Sequence, residues 1–313
     1  MQILFYDAKG HDRELSAKQL AGAKIAKDTL LWINATKAQI VKAKLPQEVA
    51  AAIGEARFDE LSVRVYDTFY TLAVPVASDS PSPAPPLNLL VGEDWLVTLG
   101  EGEAIDFAEF ISHDVGETMK GKLSGSTLAA ALLSEHFSRI HRRVSLIDRE
   151  VDRVEEKVLV TREGRNTLQI MAVLRRQVSR LRHVLADYRP VIHALTRPDF
   201  LPGMADEDSK HFRYLQAGYE RLEDDVNRVR EAVVGSFDLY STRIALDTNR
   251  LIRTLTFFTI GIGLIGAMAG VFGMNFKVPL FEEGQAAFSM ITAIMGGIMA
   301  VTGGIAVYTY RKP

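Results

Sequence analysis

Charged residues punctuate the hydrophobic positions of this chain for its first 250 residues and then almost stop. Two long uncharged runs, Thr254–Phe276 and Ala286–Tyr310, flank a short polar connection that carries Lys277, Glu282 and Glu283. At about 1.5 Å per residue, each run is long enough as a helix to cross a hydrocarbon core of roughly 30 Å. The pattern predicts a transmembrane hairpin over 249–313, with spans at 252–272 and 286–310 and an outer loop at 273–285. Arg250 and Arg253 precede the first span, and Arg311 and Lys312 follow the second. Basic residues gather on cytoplasmic flanks, so both termini are expected in the cytoplasm.

Upstream, the periodicity changes twice. Residues 1–118 read as a cytoplasmic α/β domain, with short β-rich runs at Ile3–Tyr6, Leu30–Ile33, Leu61–Val76 and Leu87–Leu99. Pro46–Glu55 fits a helix with proline in its first turn. Gly92, Glu93 and Asp94 read as a hairpin turn, and the proline-rich stretch Ser78–Pro86 reads as a loop. Residues 119–248 then turn to apolar spacings of three and four, which predicts long helices over Thr127–Val160 and Thr167–Leu195. Gly164 stands between them as a cap, and Pro190 is expected to bend or end the second helix. A third segment starts near Asp206 and meets no strong breaker before Gly273, so a stalk helix is expected to run on into the first span.

The first span is rich in small residues. Thr256, Thr259, Gly263, Gly266 and Gly270 recur at three and four and share one helical face. Such a stripe allows close helix packing in lipid, or leaves room for a water path when several copies surround an axis. Asn249 and Asp238 continue it on nearly the same side, as polar groups beside an aqueous path do. The run Gly261–Gly266 also matches G-x-G-x-x-G, but without the strand–turn–helix setting of a dinucleotide site.

Composition removes several function classes. A formal net charge of -2 argues against a general nucleic-acid binder, and the absence of cysteine excludes disulfides and thiolate metal sites. The N-terminal residues lack the basic and apolar regions of a signal peptide, so the large N-terminal part is expected in the cytoplasm. His136 and His141 lie five apart, off a common helical face, and read as packed or solvated side chains rather than metal ligands. The Arg-rich runs at 139–143 and 174–183, like the acidic cluster Glu223, Asp224 and Asp225, read as charged helix faces. No nucleophile with its base appears, so an enzyme is not expected.

The segment AGVFGMNF (269–276), preceded by NRLIRTLT (249–256) and followed by a second span and a short basic tail, resembles the CorA family of divalent-cation channels and transporters. Weaker similarity covers LLWIN (30–34), WLVTLGEG (95–102) and LRRQVSRLRHVLADYRP (174–190). The resemblance implies a pentameric funnel in the inner membrane, whose long stalk helices form the pore inside an outer ring of second spans. It implies that Gly273, Met274 and Asn275 form the selectivity ring, with Gly273 carbonyls and Asn275 amides receiving the hydrated ion. Asn249 would be a second polar ring, and Ile252 and Leu255 an apolar constriction. Thr259, Gly263 and Gly266 would line the path, Asp238 would attract cations below it, and Glu282 and Glu283 would concentrate them outside. The partners implied are further copies of the chain, lipids and the transported cation, magnesium or cobalt first, with no resident cofactor. Two departures stand out. The loop reads KVPLFEEG where magnesium-type members commonly carry M-P-E-L, and the family's first-span proline is absent. Val-Pro-Leu after the tripeptide partly resembles the ZntB branch, which makes zinc, with proton coupling, the alternative cargo. A membrane-anchored scaffold or receptor is the rival from another class.

Overall fold

The computed structural model describes residues 1–7, 12–20, 22–23, 25, 28–58, 61–76, 85–100, 107, 124–160, 165–197, 200, 206–274 and 284–311. Its elements are β1 (Gln2–Asp7), β2 (Arg13–Glu14), α1 (Ala17–Leu20), β3 (Thr29–Thr36), α2 (Lys37–Lys42), α3 (Gln47–Glu55), β4 (Val63–Val65), β5 (Tyr70–Val74), β6 (Leu87–Val91) and β7 (Trp95–Gly100), then α4 (Gly125–Val160), α5 (Arg165–Leu195), α6 (Asp206–Phe272) and α7 (Gln285–Arg311). Every β-rich run expected from the sequence contains at least one strand. Pro46 sits one residue outside α3, as its N-cap. Gly164 and most of Ser78–Pro86 lie outside the described residues.

The strands form one seven-stranded sheet in the order β2-β1-β3-β7-β6-β5-β4. Among the described residues, only the β3–β7 pair is parallel. β6 and β7 are buried at every position, because both faces of the sheet are covered, and they therefore read as apolar runs without clean alternation. Leu31, Ile33, Ala35, Val97 and Leu99 belong to a core with Leu20, Ile40, Val49 and Ala52 of the short helices. The opposite face carries Trp32 and Thr98. The Trp32 indole donates to Thr98 Oγ1 (3.2 Å), and that hydroxyl donates to Asn34 Oδ1 (3.0 Å), so the buried polar atoms satisfy one another. The first residue of α4 sits against the β6–β7 turn. The Gly125 amide donates to the Glu93 carbonyl at 2.8 Å, and a Cβ on Gly125 would lie 2.2 Å from the Gly92 oxygen. Only glycine fits there.

The chain divides into two compact units, Met1–Val154 with Gly164–Val234, and Glu155–Glu163 with Gly235–Pro313. In the first, the long helices pack through seams at three- and four-residue spacing, among them Phe137, Ile140, Val144 and Ile147 on α4 and Leu181, Leu185 and Tyr188 on α5. Pro190 lies inside α5, which runs on to Leu195 rather than ending there. Proline removes one helical hydrogen bond, and the burial of Val191, Ile192 and Leu195 holds the last turn in place.

Several side chains expected only as charged or packed faces find partners here. His141 Nδ1 lies 3.0 Å from Asp225 Oδ2, and Arg189 pairs with Glu223. Two of the three acidic residues in the stalk cluster are thus held within the chain. His136 is buried beside Tyr188, with ring centroids 5.8 Å apart. Neither His136 Nε2 nor the Tyr188 hydroxyl has a hydrogen-bond partner among the described residues. Burial, then Arg139 and Arg143, lower the His136 pKa to about 4, and burial pushes the Tyr188 hydroxyl up.

Candidate site: one face of the spanning helix

α6 and α7 are the two helices of the described chain long and apolar enough to cross a membrane. In each, only 6 % of the most apolar window is buried. A core helix of a soluble protein is not left so bare. α6 is a single helix of 67 residues, in keeping with the absence of any breaker between Asp206 and Gly273.

The burial pattern of the second unit separates the faces of α6. Thr254, Phe257, Gly261, Ile265, Met268 and Phe272 are buried or half-buried, and on α7 so are Ile291, Met295, Ile298, Thr302 and Ala306. These two seams pack on each other. A Cβ on Gly261 would fall 2.6 Å from Thr302 Oγ1 and 3.1 Å from Thr302 Cβ, so the helices meet at this glycine. Thr302 Oγ1 in turn donates to the Ile298 carbonyl at 2.8 Å, which fixes its rotamer.

At about 100° per residue, the expected stripe lies on the other side of the helix. Ile252, Thr256, Thr259, Gly263, Gly266 and Gly270 all fall within about 40° of the line opposite Gly261. Asp238 shares that line, while Asn249 and Leu255 sit about 60° to either side. All of these residues are exposed. No atom comes within 4 Å of a Cβ built on Gly263, Gly266 or Gly270. The glycines of the span thus divide into one that permits contact with α7 and three whose missing side chains leave space. Spacing alone did not separate them.

The hydroxyls on this face are half satisfied. Thr256 Oγ1 donates to the Ile252 carbonyl and Thr259 Oγ1 to the Leu255 carbonyl, both at 2.8 Å. With the proton given to the helix, each oxygen turns lone pairs outward and acts as an acceptor only. A surface of neutral acceptors and bare backbone suits water or a hydrated cation, whose outer atoms are hydrogens.

α6 ends at the tripeptide. The Gly273 amide donates to the Ala269 carbonyl (2.8 Å) and the Met274 amide to the Val271 carbonyl (3.3 Å). Glycine often stops a helix in a left-handed turn, but among the described residues only Gly284, with φ 57°, has positive φ. The helix instead closes by tightening its last turn. Asn275, Glu282 and Glu283 lie outside the described residues. Among the described residues, no group of three His, Asp or Glu side chains is placed to hold a metal ion.

The family model described as CorA-like Mg2+ transporter protein matches residues 34–311. The cobalt/magnesium transport protein CorA of Thermotoga maritima is 28 % identical over 186 residues, 59 % of this chain and 50 % of that protein. The match therefore spans about half the length of that curated relative. Among solved structures, the complete CorA magnesium transporter from Methanocaldococcus jannaschii superposes with a TM-score of 0.71 at 19 % identity, covering 100 % of this chain and 98 % of that one. The full-length CmaX protein gives a TM-score of 0.67 at 18 % identity, with coverages of 99 % and 97 %. At these identities the two structures show a shared fold. A family match reaching from the third strand to the end of the last helix, on a chain with this fold, decides the family: the chain belongs to the CorA-like Mg2+ transporter family.

Proposed function

We propose that this chain transports hydrated divalent cations, magnesium or cobalt, across the inner membrane. The pore is formed by the α6 helices of a homopentamer, with α7 outside them and both termini in the cytoplasm. The observation that carries the reading is the face of α6 opposite α7, with its small residues and outward-facing threonine oxygens below the Gly273-Met274-Asn275 ending. Family membership and the name of the Thermotoga relative support the cation.

The chemistry is consistent. Magnesium gives up its water reluctantly, so neutral oxygens that hydrogen-bond the water shell hold the ion without stripping it and let it leave. Gly273 carbonyls and Asn275 amides, repeated around the axis, form the outer ring. Asn249 forms an inner polar ring, Ile252 and Leu255 narrow the path between them, and Asp238, Glu282 and Glu283 raise the cation concentration at the two mouths. The membrane potential supplies roughly 2.3 kcal/mol per charge per 100 mV.

Flux into proteoliposomes tests this, with magnesium, cobalt and zinc offered separately, with and without a proton gradient, for the wild-type chain and Asn275→Ala. Gradient-independent magnesium or cobalt flux that changes in Asn275→Ala supports the proposal. Zinc uptake that grows with an inward proton gradient moves the cargo to zinc. Folded protein that passes no cation leaves the hairpin as an anchor and refutes transport.

A further inference from the structure

α6 is held within the chain at two places on its way into the span. Its seam of buried side chains, Leu222, Val226, Val229 and Val233, is apolar until Ser236, which takes the next seam position and is only 2 % exposed. Ser236 Oγ donates to Glu155 Oε1 at 2.7 Å, a charge-assisted bond between residues 81 apart in sequence. Beyond Ser236, no residue of α6 is buried until Gly261, where α7 packs. The stretch between stiffens itself from within: Asp247 pairs with Arg243 (3.6 Å) and Arg250 (3.4 Å).

Three observations coincide at this level. The end of α4, from Glu155, groups with Gly235–Pro313 rather than with the rest of its own helix. Gly235, beside the serine, has no atom within 4 Å of its would-be Cβ, so packing does not demand a glycine there. Glycine in a helix interior nevertheless weakens it. And the apolar seam turns polar at this one position, a device that fixes register between packed helices.

The angles give the bond its role. Ser236 lies 25 residues before Gly261, which at about 100° per residue puts the two within about 20° on the same side of the helix. Both anchors are on one side, and the stripe from Asp238 to Gly270 is on the other. We propose that Ser236 and Glu155 are positioning residues for transport: their bond sets the rotation of α6 where it leaves its last buried anchor, and so holds the stripe toward the axis. The proposal rests on the transport reading above.

The test uses the full chain in lipid, with amide hydrogen exchange and magnesium flux measured on Ser236→Ala, Glu155→Ala, Glu155→Gln and the Ser236→Ala/Glu155→Ala pair. Loss of a charge-assisted bond should speed exchange over 155–160 and 236–247 by about tenfold, and shift flux by a comparable factor. Glu155→Gln keeps an acceptor oxygen at the same reach but loses the charge, and should fall between wild type and Glu155→Ala. The double variant should do no more than the stronger single alanine, since each of the three already removes the Ser236–Glu155 bond. Unchanged exchange and flux in the single alanines overturn the proposal. So do additive effects, or a Glu155→Gln as disturbed as Glu155→Ala. Faster exchange with unchanged flux makes the bond structural only, which also overturns it. A wild-type chain without flux of any cation refutes the transport reading instead, and the exchange data still report whether the bond holds α6.

Discussion

Alanine at Gly261 and alanine at Gly266 should differ in the energy of the α6–α7 contact, although both replace a glycine five residues apart in the same span. Each substitution gains about 1 kcal/mol of helix propensity. They part in what the new methyl meets. At Gly261 it falls 2.6 Å from Thr302 Oγ1, 3.1 Å from Cβ and 3.3 Å from Cγ2, whereas at Gly266 nothing lies within 4 Å. Turning the Thr302 side chain away gives up the bond of its hydroxyl to the Ile298 carbonyl, and in every rotamer its Cβ stays 3.1 Å from the new methyl. The helices must separate, at the cost of about 1–3 kcal/mol typical of overpacking, so Gly261→Ala should be less stable than Gly266→Ala by that amount. Thermal unfolding of the full chain in nanodiscs reads the difference, and Thr302→Ala in the Gly261→Ala background should recover most of it. Equal melting of the two single variants, or no recovery in the double, would refute the assignment of Gly261 to the helix contact.

Stability should fall on acidification through His136. Its folded pKa of about 4 lies below the ordinary 6.5, so the neutral form is favoured in the fold. The contribution is whole above pH 6.5 and is lost as pH drops toward 4, by about 3 kcal/mol in all. His136→Phe should flatten that window in denaturation curves and match or exceed wild type at neutral pH, since it also removes the orphaned Nε2. Gly125→Ala should cost about 1–3 kcal/mol or prevent folding, because the methyl meets the Gly92 and Trp95 carbonyls, which the sheet holds; circular dichroism and melting report it. Ile252→Ser should raise magnesium flux in proteoliposomes, since Ile252 is the bulky apolar member of the stripe and hydrophobic constrictions close by dewetting. Unchanged flux there would remove Ile252 from the path.

The architecture was largely legible because its strongest constraints act on long stretches. A bilayer admits no charge over some twenty residues, so Thr254–Phe276 and Ala286–Tyr310 announce themselves, and α6 could be traced from Asp206 because only proline reliably ends a helix. Local rules leave choices that packing settles. Pro190 was expected to bend or end its helix, and α5 runs through it to Leu195, the end that the apolar spacing gave, because buried neighbours hold its last turn. Nor does spacing say which glycine meets a neighbour: Gly261 and Gly263 are two apart and face opposite ways, a difference set by where α7 packs. The orphaned nitrogen of His136 depends on its burial beside Tyr188 of α5, and no signal within α4 alone marks it. Of the proposed site, the stripe and its extension to Asn249 and Asp238 could be read from 3.6-residue periodicity. The outward lone pairs of Thr256 and Thr259 could not, because they follow from hydrogen bonds to the helix itself.

That division of faces also bears on why the span is so rich in glycine. Between two helices, glycine is useful because it removes bulk and lets backbones approach. Opposite such a contact it gives no packing benefit, and it weakens the helix by about 1 kcal/mol at each position relative to alanine. Gly263, Gly266 and Gly270 have that cost within the chain and no compensating contact there. Either a neighbouring helix approaches this face closely, or the space itself is required. The first alternative would be served by glycine alone. It gives no reason for Thr256 and Thr259 on the same line with their oxygens turned outward as acceptors, or for Asn249 and Asp238 to extend that line with polar groups. In contact with another apolar helix, those oxygens would lose water and gain no donor. A water path, as in the proposed pore, would satisfy them along the whole length and would make the missing side chains useful at the same positions.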